Sequence, residues 1–200
     1  MNTSTRSSLR AEFPTRPTPA KLAHIVLRTA RFDEMKRFYK AFFGATTAFE
    51  NSQVSFLAYD DEHHRIGLIN FPHLQPMDTS LAGMEHVAFT YSDLRTLLAA
   101  YIHNKDYGIL PFWSINHGPT ISMYYKDPDG NKIELQHDVF DTPELVDAFF
   151  ASGAYEENFM GIIFDPDEMI AALEDGQPED VLTKRPNLPA GATPWDMLRE

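Results

Sequence analysis

A chain of 200 residues that is 43% hydrophobic and 12% aromatic can bury a sizeable core, so it reads as globular. Seventeen basic against 29 acidic residues leave a formal charge of −12, which argues against a nucleic-acid backbone or an anionic membrane surface as partner. With no cysteine, disulfides, thiolate metal sites and a cysteine nucleophile are excluded, and any metal must be held by nitrogen and oxygen.

Residues 1–20 are rich in Ser, Thr and Pro and read as an arm, because Pro14, Pro17 and Pro19 oppose both helix and ladder bonding. The same stretch lacks the apolar core of a secretory signal, and no apolar run approaches the roughly 20 residues of a membrane span. A cytoplasmic location is expected. Two segments then share one grammar: KLAHIVLRTARFDEMKRFYKAFFG (21–44) and GMEHVAFTYSDLRTLLAAYIHNKDYG (83–108), each a strand, a helix and a glycine. His24 and His86 sit alike in the two strands. Phe32, Met35, Phe38, Tyr39 and Phe42 give the first helix an apolar stripe, and Leu94, Leu97, Leu98, Tyr101 and Ile102 give the second. Gly44 and Gly108 suit left-handed helix ends.

Three strand-like runs follow each helix, at 45–50, 53–59 and 65–71 and again at 111–116, 119–126 and 131–137. The turn KDPDGN joins the last two, with Pro128 presetting φ and Gly130 accepting a positive one. The expected class is therefore α+β: two βαβββ modules, 21–72 and 83–138, form an open mixed-sheet barrel over 21–138. Residues 139–200 read as a helical extension, with helices at 142–153 and 165–176, and an irregular tail in which Arg185 is a solvated cation.

Because His24 and His86 occupy equivalent places in the repeat, a pseudo-twofold fold would bring them to one site. Glu134 in NKIELQ is an acid where the strand favours an apolar residue, and a buried carboxylate is costly unless paired or metal-bound. Two imidazoles and a carboxylate form the facial triad of non-haem Fe(II) oxygenases. The adjacent pair His63 and His64 is either a solvated hairpin tip or a source of chemistry.

HIVLRT around His24, EHHRIGLINFP around His64, MEHVAF around His86 and HGPTISMYYKDPDGNKIEL ending near Glu134 resemble the vicinal oxygen chelate superfamily, and within it the type I extradiol ring-cleaving dioxygenases. The resemblance implies an enzyme with a single pair of βαβββ modules that opens a catechol ring beside its two hydroxyls. Its metal would be Fe(II), with Mn(II) as the alternative, held by His24, His86 and Glu134, and O2 would be co-substrate. It implies His64 as acid/base, with His73 in the following loop as competitor, and Tyr124 as the residue that hydrogen-bonds the substrate oxygen. Tyr125 points to the opposite strand face. His117 is implied near the substrate. An aryl catechol such as 2,3-dihydroxybiphenyl is the expected small-molecule partner, and a homo-oligomer is the expected assembly. The alternatives are a glyoxalase-type lyase or isomerase, a metal-dependent thiol transferase, and a metal-free resistance protein that only binds its ligand.

Overall fold

The computed structural model describes residues 18–200, so most of the predicted arm lies outside the described residues. The first module runs β1 (Ile25–Thr29), α1 (Phe32–Phe43), β2 (Thr46–Glu50), β3 (Val54–Ala58) and β4 (Ile66–Asn70). The second runs β5 (His86–Tyr91), α2 (Leu94–Asp106), β6 (Trp113–Asn116), β7 (Thr120–Lys126) and β8 (Lys132–Asp138). Each makes its own mixed sheet. The first has strand order β1-β4-β3-β2. The second has order β5-β8-β7-β6 and ends on a strand the sequence did not announce, β9 (Ile162–Ile163), laid antiparallel on β6.

The helices form where the apolar stripes are. Phe32, Met35, Tyr39 and Phe42 of α1 are buried, and Gly44 closes the helix at φ 61. The Asp93 carboxylate accepts the Thr96 amide at 2.7 Å and caps α2. No side chain caps α1, and Asp33 lies within its first turn instead.

Alternation along the strands sorts residues between two faces. Leu57, Ile66 and Leu68 in the first sheet and Met123, Tyr125, Ile133 and Leu135 in the second point toward the helices and share one core with α1 and α2. The modules meet there. Phe42 packs edge-on to Tyr125, Phe43 lies against Phe89, and the Tyr39 hydroxyl donates to Asp127 at 2.9 Å. The outer faces carry the remaining strand positions, among them Val26, Phe56 and Gly67 in the first sheet and Ala88, Tyr124 and Glu134 in the second.

The extension contributes α3 (Pro143–Ala151), α4 (Ala154–Glu157), α5 (Pro166–Glu174), α6 (Glu179–Leu182) and a 3-10 turn at Pro194–Met197. It is bound to the second sheet at Gly161. There φ is 117°, and a Cβ would lie 2.4 Å from the Asn116 carbonyl oxygen. Gly161→Ala is expected to cost about 2–4 kcal/mol through backbone strain and lost β9–β6 pairing. A thermal melt with amide exchange at Asn116 checks this, and unchanged protection there would refute it.

Candidate active site

Four of the six candidates gather on the outer face of the second sheet. The parallel register sets Ala88 beside Glu134, and the antiparallel one sets Tyr124 across from Glu134 and Trp113 across from Tyr124. His86 opens β5, and its Nε2 is 3.1 Å from Oε2 of Glu134. Glu134 is buried at 5% exposure, while the His86 side chain keeps 34%. Two cis ligand atoms, each about 2.1 Å from one metal, stand about 3 Å apart, so this pair has the spacing a shared ion requires.

Tyr124 is buried between the pair and the turn after β6. Burial first, and then the Glu134 carboxylate, pushes its phenol well above the ordinary value, so it stays protonated. Its hydroxyl is 3.0 Å from His117 Nε2. The other ring nitrogen, Nδ1, contacts the Met160 carbonyl. A carbonyl only accepts, so Nδ1 carries the proton and Nε2 is left to accept the Tyr124 hydroxyl. Burial lowers the His117 pKa and favours this neutral form.

The extension fixes this arrangement. Arg185 donates to the carbonyls of His117 at 3.0 Å, Asn158 at 2.8 Å and Ala154 at 2.7 Å, and its guanidinium lies over Phe149. The solvated tail cation expected from sequence is thus a half-buried clasp, because three backbone carbonyls stand within reach of one planar fork. Asn116 donates to the Thr183 carbonyl at 2.8 Å, and Trp113 donates to the Met197 carbonyl at 2.8 Å while stacking on Tyr124. A cavity of about 620 Å³ between β8 and the extension, lined by His137, Phe140, Phe149 and Arg185, touches none of the six candidates.

The other two candidates belong to the first sheet. Arg65 donates to the Leu22 and Ala23 carbonyls, each at 2.9 Å, and is itself held by Asp60, which pins the chain ahead of His24. The exposed His24 ring stacks on His64 at 4.3 Å, and His64 stacks on Phe56 at 4.6 Å. His64 is buried, and that burial first, with His24 and His63 adding to it, lowers its pKa. His63 stands edge-on to both, with Nδ1 held 2.7 Å from Glu62. Glu62, bridged by Lys21 as well, has its carboxyl depressed to about 2. His73 is exposed.

Nitrogens of His24, His63 and His64 lie within 4.8 Å of one another, and among the described residues no such group joins His24 to His86 and Glu134. A cleft of about 540 Å³ separates the edge strands, with His24, Tyr59 and Arg65 on one wall and Ala88, Phe89 and Thr90 on the other. Sequence reasoning missed His63 as a neighbour of His24 and Arg185 as a clasp. The doublet His63–His64 was a signal for the first; nothing periodic marked the second.

The family model described as the glyoxalase/bleomycin resistance protein/dioxygenase superfamily matches residues 21–135. Biphenyl-2,3-diol 1,2-dioxygenase 2 of Rhodococcus globerulus is 42% identical over 164 residues, which cover 82% of this chain and 86% of that protein. Biphenyl-2,3-diol 1,2-dioxygenase 3 of the same organism is 38% identical over 167 residues, covering 82% and 88%. Among solved structures, an integron cassette protein from the mobile metagenome of the Halifax Harbour sewage outfall aligns with a TM-score of 0.50 at 15% identity, over 60% of this chain and 99% of that one. That likeness is one of fold.

Proposed function

This chain belongs to the glyoxalase/bleomycin resistance protein/dioxygenase superfamily, and from that premise we propose that it is an extradiol dioxygenase acting on an aryl catechol. The observation that carries the reading is the buried Glu134 carboxylate beside His86 with the Tyr124–His117 pair next to it. The identity to two biphenyl-2,3-diol 1,2-dioxygenases supports the substrate class. The ligands would be His24, His86 and Glu134, a donor set that suits Fe(II) and also accepts Mn(II). When bound, the metal would supply Lewis acidity and an electronic path between the catechol and O2.

The side chains supply the rest. His117 takes the Tyr124 hydroxyl proton as its hydrogen-bond partner, so the phenol oxygen is held across from Glu134 with lone pairs free to accept from a substrate hydroxyl. A buried, neutral His64 offers a ring nitrogen that takes a catechol proton and later returns it. Trp113 and Phe112, packed around Tyr124, give an aryl group an apolar wall. Membrane anchorage has no support among the described helices, since none is long and apolar enough to cross a bilayer.

The test is oxygen uptake and yellow product from 2,3-dihydroxybiphenyl and, separately, catechol, with anaerobically Fe(II)-loaded protein then exposed to air. Tyr124→Phe is expected to lower kcat about 10²-fold, and His64→Ala about 10²–10⁴-fold, with metal content unchanged. Metal-replete protein that consumes no oxygen with a broad catechol panel would sink the dioxygenase reading and bring the lyase or thiol-transferase alternative forward. His73→Ala slowing turnover as much as His64→Ala is expected to would move the proton-handling role into the loop.

A further inference from the structure

Tyr124 has one proton to give, and the neighbouring imidazole decides where that proton points. With the proton of His117 on Nδ1, its Nε2 takes the Tyr124 hydroxyl and leaves the phenol oxygen as an acceptor. With the proton on Nε2, His117 would donate to that oxygen instead, and the hydroxyl would turn toward Glu134 or a bound substrate as a donor. The two tautomers of one ring thus reverse the polarity of a hydrogen bond at the site. Burial above all, with His86 and Arg185 adding to it, keeps the ring uncharged, so the choice lies between these two forms.

What selects the Nδ1–H form is the Met160 carbonyl, which belongs to the extension and not to the sheet. The Asn158 side-chain oxygen accepts the amides of Met160 at 3.2 Å and Gly161 at 2.9 Å and so folds this segment back. Arg185 joins both ends of the His117–Met160 bond. Its Nη1 donates to the carbonyls of His117 at 3.0 Å and Asn158 at 2.8 Å, so one nitrogen ties the residue that carries the ring to the segment that carries the acceptor, and Nη2 donates to the Ala154 carbonyl at 2.7 Å. The guanidinium lies 5.1 Å from the centre of the Phe149 ring, which packs so closely on Gly118 that a Cβ there would stand 2.4 Å from Phe149 Cζ. Asn116 secures the His117 turn separately: it accepts the Gly118 amide at 2.9 Å and donates to the Thr183 carbonyl at 2.8 Å. Loss of Arg185 would therefore leave the turn in place and loosen the segment that presents the Met160 carbonyl.

We infer that Arg185 is a positioning residue: by clasping the His117 turn to the Met160 segment it holds His117 in the Nδ1–H form and so makes Tyr124 an acceptor, not a donor, toward the substrate. What Tyr124 faces rests on the proposed function, whereas the tautomer rests on hydrogen-bond geometry alone.

The experiment reads the tautomer directly. Full-length protein carrying isotope-labelled histidine and loaded with diamagnetic Zn(II) is measured by proton–nitrogen correlation NMR, and the His117 signals are assigned by their loss in His117→Gln. The wild type is expected to show one form, with a protonated Nδ1 and a bare Nε2. A proton on Nε2, or on both nitrogens, overturns the proposal whatever the variants do. Arg185→Met is expected to mix the two tautomers and to lower kcat about tenfold with Fe(II) content unchanged. In Tyr124→Phe protein, which has no hydroxyl to direct, the same substitution should cost less than about twofold. Arg185→Lys, whose ammonium can stand where Nη1 bridges His117 and Asn158, is expected to restore the single tautomer and most of the turnover. Two results for Arg185→Met overturn the proposal: a tautomer that stays pure, and a tenfold loss repeated in full in Tyr124→Phe, since a merely structural clasp would lower both backgrounds alike. Protein whose tautomer is pure in the wild type and mixed in Arg185→Met, but which consumes no oxygen with any catechol, keeps Arg185's control of His117 and discards the dioxygenase reading.

Discussion

Glu134→Gln is expected to lower kcat/KM at least about 10³-fold, a loss of about 4 kcal/mol in transition-state stabilisation, while the metal-free protein melts where the wild type does or slightly higher. The two halves of this result have one cause. Glu134 is 5% exposed in the middle of β8, flanked by core residues Ile133 and Leu135 that point the other way. An apolar strand would tolerate glutamine there better than a carboxylate, whose burial is costly in the absence of a cation. The single contact to His86 Nε2 at 3.1 Å offsets only part of that cost. Removing the charge therefore relieves the metal-free fold, yet it deletes the one anionic ligand of the set. Metal addition should raise the wild-type melting temperature and barely move that of the variant, since a ligand stabilises only in proportion to its affinity for the folded state. Full metal content and turnover in Glu134→Gln would reduce Glu134 to a buried partner of His86.

Much of this was legible because period and repeat are local properties. The matched strand-helix-glycine segments identified His24 and His86 as equivalent positions, and alternation in β7 put Tyr124 and Tyr125 on opposite faces. Tyr125 is fully buried in the main core, whereas Tyr124 sits in the smaller cluster with Trp113. What pattern could not supply is long-range. β9 is only two residues, too short for any alternation to register, and exists because Asn158 folds back on Gly161 with two hydrogen bonds, at 2.9 and 2.8 Å. Arg185 gains its role from carbonyls 27 to 68 positions away in the chain. The relative placement of the modules is likewise absent from periodicity, so equivalence of His24 and His86 implied one site without saying whether one chain closes it.

Asp127→Ala is expected to be the most damaging substitution away from the ligands, lowering stability by about 3–4 kcal/mol and the melting temperature by about 6–16 °C. The carboxylate is 4% exposed and fully engaged: Oδ1 accepts the amides of Asp129 at 3.0 Å and Asn131 at 2.9 Å, and Oδ2 accepts the Tyr39 hydroxyl and the Asn131 amide group, both at 2.9 Å. It thus shapes the KDPDGN turn that sets β7 against β8, and ties that turn to α1 of the other module. Alanine would leave the Tyr39 hydroxyl buried with no acceptor, which costs more than the bond itself contributes. Tyr39→Phe removes the donor along with its need and should cost only about 1 kcal/mol, so the double variant should be less destabilised than the two losses summed. The pH dependence has a definite sign. Burial raises the Asp127 pKa above 3.8 despite its four donors, so the folded state takes up this proton before the unfolded state does. Stability attributable to Asp127 therefore grows as pH falls through the raised value toward 3.8, and the gap between wild type and Asp127→Ala should widen across that window. Urea titrations of both proteins from neutral pH down to 4 measure the gap directly, and one that narrows instead would mean the carboxylate is better solvated by its donors than its burial implies. Because Tyr124 and Glu134 stand on the two strands this turn joins, the variant should also lose turnover in proportion to the slackened register, even at temperatures where it remains folded.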